Sequence, residues 1–149
     1  MRLPRSAKYA ALVVALVGGF EGLRTKAYRD PVGIPTVCFG ETKGVKMGDQ
    51  YTKAQCETML IERLEEFRAG VDKCLKVPMP DERKAAVVSL AYNIGLSAFC
   101  KSTVVRKLNA GDVQGGCDAF MMWTKAKGIT LPGLVTRRKV ERDLCLKEA

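Results

Sequence analysis

The chain predicts an α+β fold, with a small β-containing lobe toward the N-terminus, a connecting helix and a helical C-terminal lobe. Three observations predict it. Strand and turn signals are confined to residues 21–51, around Asp30-Pro31-Val32-Gly33. The longest helical pattern opens at Thr52 and continues to about residue 73. Residues 74–149 then repeat helical spacing between the breakers Pro78, Pro80, Gly95 and Gly111. At 149 residues and 47% hydrophobic content, with no repeat or low-complexity tract, residues 1–149 suit one domain or two small lobes sharing a helix.

In order along the chain, residues 6–22 read as a helix with Glu21 near its C-terminal end. Asp, Pro and Gly at the first, second and fourth positions make Asp30–Gly33 a type I turn. Short β segments should flank it near Lys26–Tyr28 and Pro35–Phe39, with Gly40, Gly44 and Gly48 punctuating a loop or third strand. Thr52 and Gln55 form a capping box. Cys56, Met59, Leu60, Leu64, Phe67 and Val71 give the following helix a buried stripe, with Glu62, Arg63, Glu65 and Glu66 facing out. Asp81 should cap an evenly apolar, buried helix over Glu82–Asn93 that Gly95 ends. Helices over Thr103–Asn109, Asp112–Thr124 and Leu134–Lys147 complete the lobe.

Composition narrows the chemistry. The net charge of +9 suits an anionic polymer or surface, or simply a solvated basic face. The cations are scattered, with no basic helix and no aromatic-basic signature, so nucleic acid is not expected as a partner. With no histidine, a Ser-His-Asp or Cys-His system and an imidazole metal site are both impossible. The six cysteines lack any C-x-x-C pair, which argues against zinc and against a thioredoxin-type motif. Their even number fits three disulfides formed in an oxidising compartment; six buried thiols in a reducing one is the other reading. Arg2, Arg5 and Lys8 precede the uncharged run Tyr9–Phe20, which resembles a signal sequence but is short for a membrane span. Cleavage after it would leave Glu21 at a frayed terminus, so the segment should stay, either as a core helix or as an export anchor that later folds into the protein.

The stretch EGLRTKAYRDPVGIPT places Glu21, Asp30 and Thr36 around one tight turn. Two carboxylates across a gap suit glycoside hydrolysis, one protonating the leaving oxygen while the other handles a water or the sugar cation. The helix dipole and Phe20 favour a neutral, proton-carrying Glu21, while a rigid turn would fix Asp30. Each also has a plain reading, Glu21 as a surface residue, Asp30 as a turn former and Thr36 as a strand residue.

This spacing, followed by CFGET, resembles the active-site signature of the phage-type lysozymes, the endolysin muramidases of glycoside hydrolase family 24. SLAYNIG at 89–95, Trp123 and GLVTRRKVER at 133–142 are similar to that family's landmarks, in the same order. The resemblance implies a lysozyme-like fold and cleavage of the β-1,4 bond between N-acetylmuramic acid and N-acetylglucosamine, without metal or organic cofactor, by a monomer. It implies Glu21 as general acid, Asp30 and Thr36 holding the water, and inversion at the anomeric carbon. It further implies Thr42, Tyr92 and Ser102 lining the saccharide cleft, although Tyr92 also reads as a core aromatic and Ser102 as a helix cap. Arg137, or its neighbour Arg138, would pair with the catalytic Glu. The implied disulfides are Cys38–Cys56, Cys74–Cys100 and Cys117–Cys145. Some endolysins of this type carry a signal-arrest-release segment, which residues 1–20 match. That implies transient inner-membrane association and then the periplasm; the alternative is a cytoplasmic enzyme awaiting a holin. Glu41 stands where the family often has a structural His, which removes that local salt bridge and adds a third acid. A lytic transglycosylase would cut the same bond with one Glu, which the presence of Asp30 and Thr36 argues against. A non-catalytic basic module binding wall or membrane is the rival from another class.

Overall fold

The computed structural model describes residues 6–148, so the expected basic flank of Arg2 and Arg5 lies outside it. The element order is α1 (Ala7–Glu21), β1 (Arg24–Arg29), β2 (Pro35–Cys38), α2 (Lys53–Cys74), α3 (Asp81–Ile94), α4 (Leu96–Cys100), α5 (Thr103–Asn109), α6 (Val113–Asp118), a 3-10 turn (Ala119–Met122), β3 (Lys125–Ala126), β4 (Ile129–Thr130) and α7 (Pro132–Leu146). The chain divides into two compact units, Val14–Glu65 and the remainder, with the boundaries falling inside α1 and α2.

The first unit is built on the antiparallel β1–β2 hairpin, with Tyr28 opposite Thr36 and Arg29 opposite Pro35. Its turn closes with the Gly33 N–H on the Asp30 carbonyl at 2.8 Å and the Asp30 N–H on Ile34 at 2.9 Å. Gly33 takes φ 88°, the left-handed conformation that lets a type I turn feed a right-twisted hairpin. Residues 40–50 return to the hairpin through isolated bridges at Val37–Glu41 and Lys26–Gln50. Val37, Cys38 and Cys56 form the core, covered by Ala27, Phe39, Val45, Tyr51 and Met59. The Cys38–Cys56 disulfide ties the end of β2 to the start of α2. The capping box is present: Thr52 Oγ1 accepts the Gln55 N–H at 3.1 Å, and Gln55 Oε1 accepts the Thr52 N–H at 2.8 Å.

The second unit packs α7 against α3, which is buried from Ala85 to Ala91 on every face of its helix. That explains the unpatterned hydrophobicity of its sequence. Phe99, Val104, Leu108 and Phe120 extend the core, and each fully buried side chain of this kind contributes about 1.5–3 kcal/mol. The disulfides Cys74–Cys100 and Cys117–Cys145 fasten the end of α2 to α4 and α6 to α7. Arg83 of α3 donates to the Cys145 carbonyl at 2.8 Å and to Glu148 at 2.9 Å, holding the end of α7. The start of α1 belongs here too: Ser6 Oγ donates to Asp81 at 2.7 Å, and Lys8 Nζ lies 2.7 Å from Glu82.

Three expectations need correction. Asp81 does not cap α3: Pro80 takes the N-cap position with extended backbone, and Asp81, one residue inside the helix, accepts from Ser6 instead. Arg63 does not face out; it is half-buried and turned to Glu41. The helix expected over Asp112–Thr124 stops at Asp118, tightens into a 3-10 turn over Ala119–Met122, and gives way to the hairpin β3–β4. Gly115 and Gly116 weaken the helical propensity of that segment.

Candidate active site

Glu21, Asp30 and Thr36 all belong to the first unit. Glu21 is the last residue of α1 and is half-buried. Gly22 follows at φ 73°, its N–H on the Gly18 carbonyl at 3.1 Å, and this left-handed residue turns the chain into β1. Gly18 sits on the packed side of α1: a Cβ there would lie 3.6 Å from the Phe39 ring and 3.8 Å from Leu60. The acid therefore stands on the C-terminal turn of a helix seated on the hairpin's core, rather than on a loose connection.

Asp30 is held by its own turn. Its Oδ1 accepts the Val32 N–H at 3.0 Å and the Ile34 N–H at 2.8 Å, and Arg29 clamps the same loop through the Gly33 carbonyl at 3.1 Å. Thr36 is buried in β2, and its Oγ1 donates to the Ile34 carbonyl at 2.9 Å. The peptide groups of Ile34 thus orient both side chains. With its own proton committed to that carbonyl, the Thr36 hydroxyl presents lone pairs, and so can accept a hydrogen from a water.

Glu41, the third acid of the region, is in a different state. Arg63 grips it with two hydrogen bonds, Nη2 to Oε1 at 2.8 Å and Nε to Oε2 at 3.1 Å, and the Lys43 N–H adds a third at 3.0 Å. Burial pushes the Glu41 carboxyl up, but the Arg63 and backbone hydrogen bonds and the Arg63 charge outweigh it and hold the group below the usual carboxylate range. A carboxylate held ionised at neutral pH suits a fastening between the 41–43 turn and α2, not proton donation. The salt bridge expected to be lost with the family's histidine is replaced by this one.

Thr42 is exposed beside this pair. In the second unit Tyr92 is half-buried against Phe67, ring centroids 5.2 Å apart and planes tilted by 60°. Ser102 is buried and caps α5, its Oγ accepting the Val105 N–H at 3.3 Å. Both plain readings, aromatic packing and capping, therefore apply to these residues whatever else they do. Arg137 and Arg138 are buried on α7 with Glu141. Arg137 Nε lies 3.3 Å from Glu141 Oε2 and Arg138 Nε 3.2 Å from Oε1. Burial pushes Glu141 up and Arg138 down, each opposed by the other's charge. The sequence reading missed Glu141 and its partners Ser89 and Asn93; the i, i+3 and i, i+4 spacing from the two arginines was the available signal. Among the described residues no group of three His, Cys, Asp or Glu is placed to hold a metal ion.

The Phage lysozyme family model matches residues 18–141. The chain belongs to the phage lysozyme family. Among its relatives, the SAR-endolysin of Bacteriophage PS119 is 43% identical over 129 residues, covering 86% of this chain and 77% of that protein. Among solved structures, the endolysin from Escherichia coli O157:H7 phage FAHEc1 superposes with a TM-score of 0.85 at 37% identity, covering 99% of this chain and 96% of that one. A P22 lysozyme mutant does so with a TM-score of 0.82 at 35% identity, covering 98% and 100%. The fold is lysozyme-like α+β, and the phage lysozyme described here is a glycoside hydrolase, a muramidase acting on peptidoglycan in host lysis.

Proposed function

We propose that Glu21 is the general acid of this muramidase and that Asp30 and Thr36 hold the attacking water. The arrangement of the hairpin carries the reading. Asp30 Oδ1 is occupied by two backbone N–H groups, so its second oxygen is the one to accept from a water, and Thr36 Oγ1 offers a second acceptor oriented from the same residue, Ile34. Glu21 protonates the glycosidic oxygen, the bond to the anomeric carbon breaks through an oxocarbenium-like state, and the water, deprotonated toward Asp30, adds from the opposite face with inversion. Arg137 supports Glu21 electrostatically, and Thr42, Tyr92 and Ser102 contact the glycan; the enzyme works as a monomer on peptidoglycan. Glu21→Gln tests the assignment: wall hydrolysis should vanish while melting is unchanged. Retained hydrolysis would exclude Glu21, and a product of retained configuration would make Asp30 a nucleophile instead.

Residues 1–20 provide transient inner-membrane attachment, after which the enzyme acts in the periplasm. Support comes from the apolar composition of the segment, from the SAR-endolysin names of the relatives, and from three disulfides, which form in oxidising compartments. Among the described residues no helix is long and apolar enough to cross a membrane. Expression without a pore-forming partner should lyse cells in a manner blocked by a Sec inhibitor. Lysis only with an added pore would place the enzyme in the cytoplasm awaiting a holin.

A further inference from the structure

Helix α7 carries three charged side chains into the interior of the helical unit. Arg137, Arg138 and Glu141 are 7, 0 and 0% exposed. Glu141 meets one guanidinium with each oxygen, Oε2 at 3.3 Å from Arg137 Nε and Oε1 at 3.2 Å from Arg138 Nε. From α3, Ser89 Oγ donates to Glu141 Oε2 at 2.5 Å. One helical turn further, Asn93 Oδ1 accepts from Arg138 Nη2 at 2.5 Å. The carboxylate is therefore fixed from both helices, and it lies between two guanidiniums on adjacent residues whose like charges repel. Taking such groups out of water is costly, and apolar side chains of similar volume would join α3 to α7 at least as well. The packing of the two helices does not account for the cluster; the orientation it imposes on a guanidinium does.

We infer that Glu141 is a positioning residue for the hydrolytic reaction, clamping Arg137 by its Nε edge while Ser89 fixes the clamp. The inference rests on the reading above, in which Arg137 supports Glu21. An arginine reaches its target through a long flexible stem, and holding the Nε edge removes much of that freedom before substrate arrives. Arg138 and Asn93 keep the carboxylate from swinging away. Glu141 touches neither substrate nor the reacting atoms; it acts through Arg137 alone.

A double-mutant cycle tests this on the oxidised full chain, with kcat and KM measured on soluble peptidoglycan fragments. Glu141→Gln should lower kcat by about 10–100-fold, the scale of a small misplacement of a charged group, with KM changed less than about threefold. Arg137→Met should do the same. The double variant should be no worse than Arg137→Met within about threefold, because Glu141 then has nothing left to position. Multiplied losses in the double variant, or full kcat in Glu141→Gln, would overturn the inference. If Glu141→Gln does not fold, Ser89→Ala keeps every charge and loosens only the clamp. It should cost about 3–10-fold in kcat in the native background and nothing beside Arg137→Met; unchanged kcat in the native background would overturn the inference. Glu21→Gln and Arg137→Met are run alongside. Activity surviving in Glu21→Gln, or native kcat in Arg137→Met, removes the reading of the site and the inference with it, whereas an inactive Glu21→Gln and an impaired Arg137→Met beside a fully active Glu141→Gln remove the inference alone.

Discussion

Replacing Glu41 by Gln removes a charge from a site where its partner is largely covered, and the effect can be worked out from the geometry. The side chains of Arg63 and Glu41 are 22% and 12% exposed. Exposed ion pairs contribute about 0–1 kcal/mol, and breaking fully buried ones costs about 3–5 kcal/mol. This pair lies between, and Gln keeps one acceptor for the Lys43 N–H, so the loss should be about 1–2 kcal/mol, or about 2–8 °C in Tm for a chain of this size. The sign with pH follows from the lowered folded-state value. The contribution is fully present above the unfolded value of 4.5 and fades as pH falls below 4.5 through the folded one. Thermal melts of both proteins at pH 7 and at about pH 3 measure it: the gap between them should shrink toward zero at the lower pH. Wall hydrolysis at pH 7 should survive the substitution, because an ionised, doubly bonded carboxylate has no proton to give. A Glu41→Gln protein that melts like the native one yet hydrolyses nothing would refute the reasoning and make Glu41 the acid. A gap that widens on acidification would refute the ion-pair assignment.

Asp30→Asn should keep the fold, since the amide oxygen can still accept from Val32 and Ile34, and should lower kcat by about 100-fold or more through loss of the base; melting and hydrolysis assays separate the two. Gly33→Ala forces a side chain into φ 88° with open space around it, so its cost of about 1–2 kcal/mol is purely backbone, and hydrolysis should fall as the Asp30 turn shifts; urea unfolding and initial rates check it. Replacing Cys38 and Cys56 by Ser opens a loop with a sequence separation of 18, and chain-entropy arithmetic puts the loss at about 3 kcal/mol, measurable by urea unfolding against the oxidised parent.

Much of this fold was legible because local chemistry and tertiary structure agree. The capping box at Thr52, the Asp-Pro-Val-Gly turn and the apolar run of α3 each specify their element from a few neighbouring residues. The site's hairpin was legible for the same reason, since Asp30 serves the turn and the proposed chemistry at once. The β3–β4 hairpin was not. Its strands are two residues each and wholly exposed, so they carry no alternation, and its turn puts Lys127 at φ 52° where Asn, Asp or Gly would have signalled it. Glu141 was hidden by composition: RRKVER reads as a solvated helical face until α3 closes over it. Arg63 misled in the same way, because periodicity says which side a residue is on but not which long side chains fold back to a partner.

All six cysteine sulfurs are engaged, each in a bridge within its own unit, and no cysteine is left over. Thiol–disulfide exchange begins with attack by a thiolate. The finished molecule contains no such nucleophile, so reshuffling cannot start from within. Once oxidised, the pairing is kinetically sealed, and only an outside agent, a small thiol or an oxidoreductase, can rewrite it.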